Sequence, residues 1–159
     1  MVDTPNGTDA ISMNDAIISI KPRHVENILT GKKTVELRTR GVNLPIGSRL
    51  WVYTTLPVGK VKLSTEIDFI EILPPKEMWK KHGKSICIPK KEFDEYTKDR
   101  ESVAAIGLRN MEPLERDICL ETMRKYEKNF QPPQFFSRLH PDKALYSAFY
   151  SGNRPLALT

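Results

Sequence analysis

Only two of the 159 residues are cysteine, Cys87 and Cys119. They lie far apart and match no metal-binding spacing, so a disulfide framework and a zinc module are both excluded. Reduced, buried thiols are expected, as in a cytoplasmic protein. Three histidines, His24, His82 and His140, form no ligand pattern with them, and no structural metal or other cofactor is expected. Long apolar runs are absent as well. The longest are far too short to cross a bilayer, which leaves no transmembrane helix and no membrane partner to expect. Met1–Asp15 has no apolar segment of the kind a secretory signal needs, and reads as a flexible tail over residues 1–15. There is no internal repeat, heptad pattern or low-complexity tract.

What is present is an ordinary globular composition, 39% hydrophobic and 28% charged. Residues 16–159 are long enough for one domain with its own core. The net charge of +5 is a modest pointer to a polyanionic partner. Six lysines (Lys76, Lys80, Lys81, Lys84, Lys90 and Lys91) stand against one acid, Glu77, between positions 76 and 91. Two readings stay open for that segment, a solvated helix face and a polyanion-binding surface.

Ala16–Ile20 is short and isoleucine-rich, as a buried strand is. Pro22 then opens a helix over 22–30, with Val25, Ile28 and Leu29 on one face and Gly31 at its C-terminal end. Residues 33–40 alternate, Val35 and Leu37 to one side, Thr34, Glu36, Arg38 and Arg40 to the other. Leu50–Thr55 is the next strand, and Val61–Leu73 a long, bent one. Helices are expected over 76–82, ending at Gly83, over 89–99, over 117–128 and over 144–150. Val103–Leu108 reads as a further strand, and Gln131–Phe136 as an irregular loop. Five to six strands interleaved with short helices indicate an α+β fold, a small mixed β-barrel.

The polar face of the strand after Gly31 is the strongest local feature. Lys32, Lys33, Arg38 and Arg40 surround Glu36 directly behind a glycine turn, where an anion would meet cations and turn amides together. A surface ladder of ion pairs has the same pattern. Simple alternation also sets Lys33 opposite Glu36 and Arg38, so the three share a cleft only if Lys33 lies in the turn or the strand bulges. Lys21 and Arg23 at the start of the first helix, Thr54 with Thr55, Lys60 and Arg109 are further candidate contacts for phosphate or base. Trp51, Tyr53 and Trp79 are candidates for base stacking, although Trp51 and Tyr53 share a strand face and more commonly such a pair packs in the core. Phe135 and Phe136 stand in a Pro-Pro loop, either as a stacking lip or as a buried loop contact.

The run Gly31-Lys32-Lys33-Thr34-Val35-Glu36-Leu37-Arg38 resembles the Gly-x-Lys-x-x-Glu-x-Arg signature of the ASCH domain family of the PUA-like superfamily. The resemblance covers roughly 16–110. It implies a PUA-like barrel with a cleft beside the signature strand, lined by Lys33, Glu36 and Arg38, with Gly31 shaping the turn, and RNA or another single-stranded nucleic acid as partner. Some members of the family are enzymes. One type removes the acetyl group of N4-acetylcytidine with a lysine and a threonine in a Lys-x-x-Thr arrangement; Glu36 stands at that threonine position here, which removes the proposed nucleophile. Another type resembles a metal-dependent ribonuclease with a lysine, a tyrosine and a serine, for which Lys33 and Tyr53 are the candidates here and a divalent metal the implied cofactor. The expectation is therefore a nucleic-acid-binding domain using Lys21, Arg23, Gly31, Lys32, Lys33, Glu36, Arg38, Thr54, Lys60 and Arg109, with hydrolysis of RNA or of a modified nucleoside by Lys33, Glu36 and Tyr53 as the alternative.

Overall fold

The computed structural model describes residues 14–152. The isoleucine-rich stretch forms β1 (Asp15–Ile20), buried at all six positions because both of its faces are covered. Asp15 belongs to this strand and not to a tail. Its buried carboxylate accepts hydrogen bonds from Trp51 Nε1 at 2.9 Å and from the Tyr150 hydroxyl at 2.6 Å. The rest of the expected tail, 1–13, lies outside the described residues.

Pro22 opens α1 (Pro22–Leu29), where its fixed φ suits the first turn and its missing N–H leaves no bond unmade. Gly31, at φ +84°, then turns the chain into β2 (Val35–Arg38). β3 (Arg49–Thr54) and β4 (Lys60–Leu73) form an antiparallel pair. Two helices follow, α2 (Pro75–Ile86) and α3 (Lys90–Thr97). The chain returns through the long β5 (Val103–Cys119), then α4 (Leu120–Tyr126), β6 (Phe136–Leu139) and α5 (Ala144–Gly152). None of the described helices is long and apolar enough to cross a membrane.

The strands make one six-stranded sheet in the order β2-β5-β4-β3-β1-β6. Only β1 and β3 are parallel, as the intervening α1 crossover requires. Register shifts between β3 and β4 and along β4–β5 bend the long strands and curl the sheet. Its two edges meet through side chains. Arg38 on β2 donates to the carbonyl of Ser19 on β1 at 2.6 Å, and Arg138 on β6 donates to the carbonyl of Asn43. The α+β class and the strand count are those expected, but the ladder of backbone bonds stays open along this seam.

Several boundaries, and one strand, differ from the sequence reading. β5 continues past Leu108 to Cys119, and its spaced apolar residues Leu114 and Ile118, four apart, suit a helix as well as a bulged strand. The helix expected over 117–128 is confined to α4. Gly83 does not end α2; a Cβ there would lie 3.0 Å from the Trp79 ring, so this glycine serves close packing, and Cys87 in the left-handed region ends the helix. β6 begins at Phe136, the last residue of the expected loop, and was not expected, being too short to show alternation. Both cysteines are free thiols.

Trp51 and Tyr53 are buried together in a cluster closed by Met123, Phe130, Leu145 and Phe149, so the chain beyond position 111 covers one face of the sheet. Ile18, Val52, Leu63 and Ile106 pack against α1 on the other. A third cluster joins Val35 and Leu37 of β2 to Met78, Ile86 and Phe93 of α2 and α3. That last cluster sets the site, because it seats the α2–α3 pair beside the signature strand.

Candidate nucleic-acid cleft

The position of Lys33 follows from the turn. Gly31 N–H donates to Ile28 O at 3.1 Å, and Lys33 N–H donates to Asn27 O at 2.9 Å. Lys33 thus precedes β2 and escapes the strand's alternation, which frees its side chain to turn toward Glu36 and Arg38. Its Nζ donates to Ile86 O at 2.7 Å and stands 3.3 Å from Glu36 Oε1. The other carboxylate oxygen, Oε2, accepts from Arg38 Nε at 2.8 Å, with Arg38 Nη2 at 2.7 Å. Arg38 is held in turn by Ser19 O, and its guanidinium lies over the Phe135 ring, 4.6 Å from the centroid.

Lys33 is 2% exposed and Glu36 5% exposed, so this is a desolvated cluster and not a surface ladder. Burial pushes the Lys33 amine below the ordinary lysine range, against the pull of Glu36. With two cations on one carboxylate, the cluster carries an excess positive charge at the floor of a cleft of about 230 Å³. That volume lies below the roughly 300–1,000 Å³ of pockets for drug-sized ligands, so it suits one small group such as a single base.

Lys21, just before α1, and His24 within it line the cleft, and α2, α3 and the link between them supply Ile86, Ile88, Glu92 and Tyr96. His24 is driven toward its neutral form by burial and by Lys33 nearby. Its Nδ1 is buried with no hydrogen-bond partner among the described residues. Glu92 takes the Arg23 guanidinium in a two-pronged pair, with Nη1 to Oε1 at 2.7 Å. That pair links α1 to α3 at the cleft.

Of the residues singled out in the sequence, Lys21, Lys33, Glu36 and Arg38 line the cleft together with Thr55. The others do not. Gly31 and Lys32 sit exposed in the turn that leads into it. Arg23 is engaged by Glu92. Thr54 is buried in β3 with its hydroxyl unpartnered among the described residues, and alternation turns its neighbour Thr55 to the cleft instead. Lys60 begins β4, in register with Thr54 and Cys119. Arg109 is drawn to Glu66 and Asp68 beside Gly47. Tyr53 faces the Trp51 cluster, so it does not share the cleft with Lys33. Trp79 packs on Phe93 and Gly83. His24, Ser19, Glu92, Tyr96 and Gln134 were missed. They come from four separate stretches, and nothing in their local pattern marks them.

No three of the His, Cys, Asp and Glu side chains among the described residues come together to hold a metal ion. Both oxygens of Glu36 are already taken by Lys33 and Arg38. The donors of the cleft therefore do not fit a divalent ion held by the protein alone.

A family model described as Domain of unknown function (DUF365) matches residues 15–137. An ASCH domain-containing ribonuclease of Zymomonas mobilis is 31% identical over 137 residues, which is 86% of this chain and 91% of the relative. The chain belongs to the ASCH domain family, as a DUF365 protein. The crystal structure of ASCH from Zymomonas mobilis superposes with a TM-score of 0.79 at 29% identity, covering 85% of this chain and 94% of that one. A serine-to-alanine variant of the same protein gives 0.81 at 28% identity, covering 88% and 96%. The curled sheet with its open seam is thus a PUA-like fold.

Proposed function

We propose that this ASCH domain binds single-stranded RNA and holds one nucleotide of the strand in the Lys33–Glu36–Arg38 cleft. The observation that carries the reading is the convergence of those three side chains, Lys33 and Glu36 buried and Arg38 half-buried, with both cations bonded to Glu36, beneath an opening that Lys21 also lines. The inner cations face a phosphate or an electron-rich base edge, and the apolar walls from Ile86 and Ile88 with the Tyr96 ring suit the flat face of a base. The family relative of Zymomonas mobilis is described as a ribonuclease, which agrees with RNA as the ligand class.

The test is a titration of labelled single-stranded RNA at two salt concentrations. Binding that weakens steeply with salt is expected, because each neutralised phosphate releases counterions. Lys21→Gln should weaken it, and Arg38→Gln should weaken it more. Affinity indifferent to salt and to both changes would overturn the reading.

A second reading, cleavage of the bound strand, is supported by that relative and by the depressed amine of Lys33 beside a carboxylate, a pair suited to moving a proton. Incubation with RNA, with and without divalent metal, tests it. Product that persists in Lys33→Met would place the chemistry elsewhere.

A further inference from the structure

The lysine-rich stretch resolves into two populations once folded. Lys81 is paired with Glu71 at 2.7 Å, and Lys90 with Asp94 at 3.0 Å. Lys91 on α3 is exposed with no ion pair or hydrogen bond among the described residues, and so are Lys76, Lys80 and Lys84 on α2. These three recur every four residues along α2. At about 1.5 Å of rise per residue they stand roughly 6 Å apart and form one stripe about 12 Å long. The opposite side of the helix, with Met78, His82 and Ile86, is buried, so the stripe serves no packing.

The stripe is unfavourable to the helix that bears it. Like charges at i and i+4 repel, and the helix dipole opposes a cation in the first turn, where Lys76 lies. Only Lys84, in the last turn, is favoured by the dipole. A polyanion laid along the helix would relieve all of this repulsion at once. The C-terminal end of α2 also borders the cleft. Immediately after Lys84, the last turn of α2 is tied to the signature, with Thr34 N–H donating to Ser85 O at 3.0 Å and Lys33 Nζ donating to Ile86 O at 2.7 Å.

We infer that the exposed face of α2 is a track for the phosphodiester backbone of a single strand whose one nucleotide occupies the cleft. This rests on the proposed function and adds a direction to it: the strand leaves the cleft past Lys84 and runs toward Lys76. The occupant is a single-stranded nucleic acid because the helix that bears the stripe ends at Ile86 in the wall of a cleft of single-base size, and the regular spacing of the lysines suits a repeating phosphate.

The experiment compares a labelled dinucleotide with an oligouridine of about ten nucleotides, within the span of single-strand binders. Both are titrated into the full chain and into the triple variant Lys76→Gln, Lys80→Gln, Lys84→Gln, whose fold is checked by circular dichroism. The long strand should bind the parent more tightly than the dinucleotide. In the variant, its slope of log affinity against log salt should be shallower by about 2, since each phosphate that goes unneutralised removes about 0.7, and dinucleotide binding should be unchanged. An unchanged slope for the long strand overturns the track. If the dinucleotide binds and the added length gains nothing, the track alone falls. If neither ligand binds the parent, the proposed function falls, and the track with it. Displacement of the long strand by polyglutamate at the same charge concentration would make the stripe a general polyanion patch and overturn its assignment to nucleic acid.

Discussion

Replacing Glu36 by glutamine removes the one negative charge that Lys33 and Arg38 share. Glu36 is 5% exposed and bonded to both cations, and Lys33 is 2% exposed. In Glu36→Gln, two partly desolvated cations face each other with no counter-charge. Removing one partner of a buried ion pair costs about 3–5 kcal/mol. For a chain of this length, each kcal/mol shifts the midpoint of thermal unfolding by roughly 2–4 °C, so a fall of about 6–20 °C is expected. Lys33→Met should cost less, about 1–3 kcal/mol, because Glu36 keeps its bonds with Arg38, while the Ile86 carbonyl loses its donor and Glu36 Oε1 its ion pair. The double variant should lose less than the sum, since Lys33→Met removes one of the two cations that Glu36→Gln leaves facing each other. Calorimetry on the three variants measures all of this. A loss below about 1 kcal/mol in Glu36→Gln would refute the reasoning, for that is the scale of solvent-screened surface pairs.

Three other outcomes are expected. Glu92→Gln should release Arg23 from its two-pronged pair, raise affinity for single-stranded RNA and steepen its salt slope by about 0.7; weaker binding in an anisotropy titration would show that Glu92 instead shapes the cleft. His24 has a folded pKa below its ordinary 6.5, so the unfolded chain binds more protons between the two values. Its contribution to stability is present above pH 6.5 and lost as pH falls through the folded value, and His24→Gln should flatten the acid side of a urea-unfolding profile. Gly107→Ala would set a Cβ 2.2 Å from the Phe69 ring across the β4–β5 ladder; a loss of about 1–3 kcal/mol is expected, partly restored by Phe69→Leu, and an unchanged urea midpoint would contradict it.

The local elements with a clean period were legible in the sequence. Alternation marked the polar and apolar faces of β2, and a proline and a glycine bracketed α1. Those signals depend on neighbours in the chain. They placed the signature on a strand, named Lys33, Glu36 and Arg38, and left one geometric condition open for Lys33. The turn at Gly31 met that condition. Long-range packing decided the rest. The register of β5 against β4 carried the strand on through a charged stretch to Cys119, past the start of the helix expected over 117–128. The third apolar cluster brought α2 and α3 over the signature and so recruited Ile86, Glu92 and Tyr96, none of which stands near it in the chain. The same packing turned Tyr53 into a core cluster and drew Arg109 to Glu66 and Asp68. Which charges stay free and which are neutralised depends on how distant residues meet. A sequence pattern names the charges of a site, and only the folded arrangement of partners and solvent decides which of them a ligand meets.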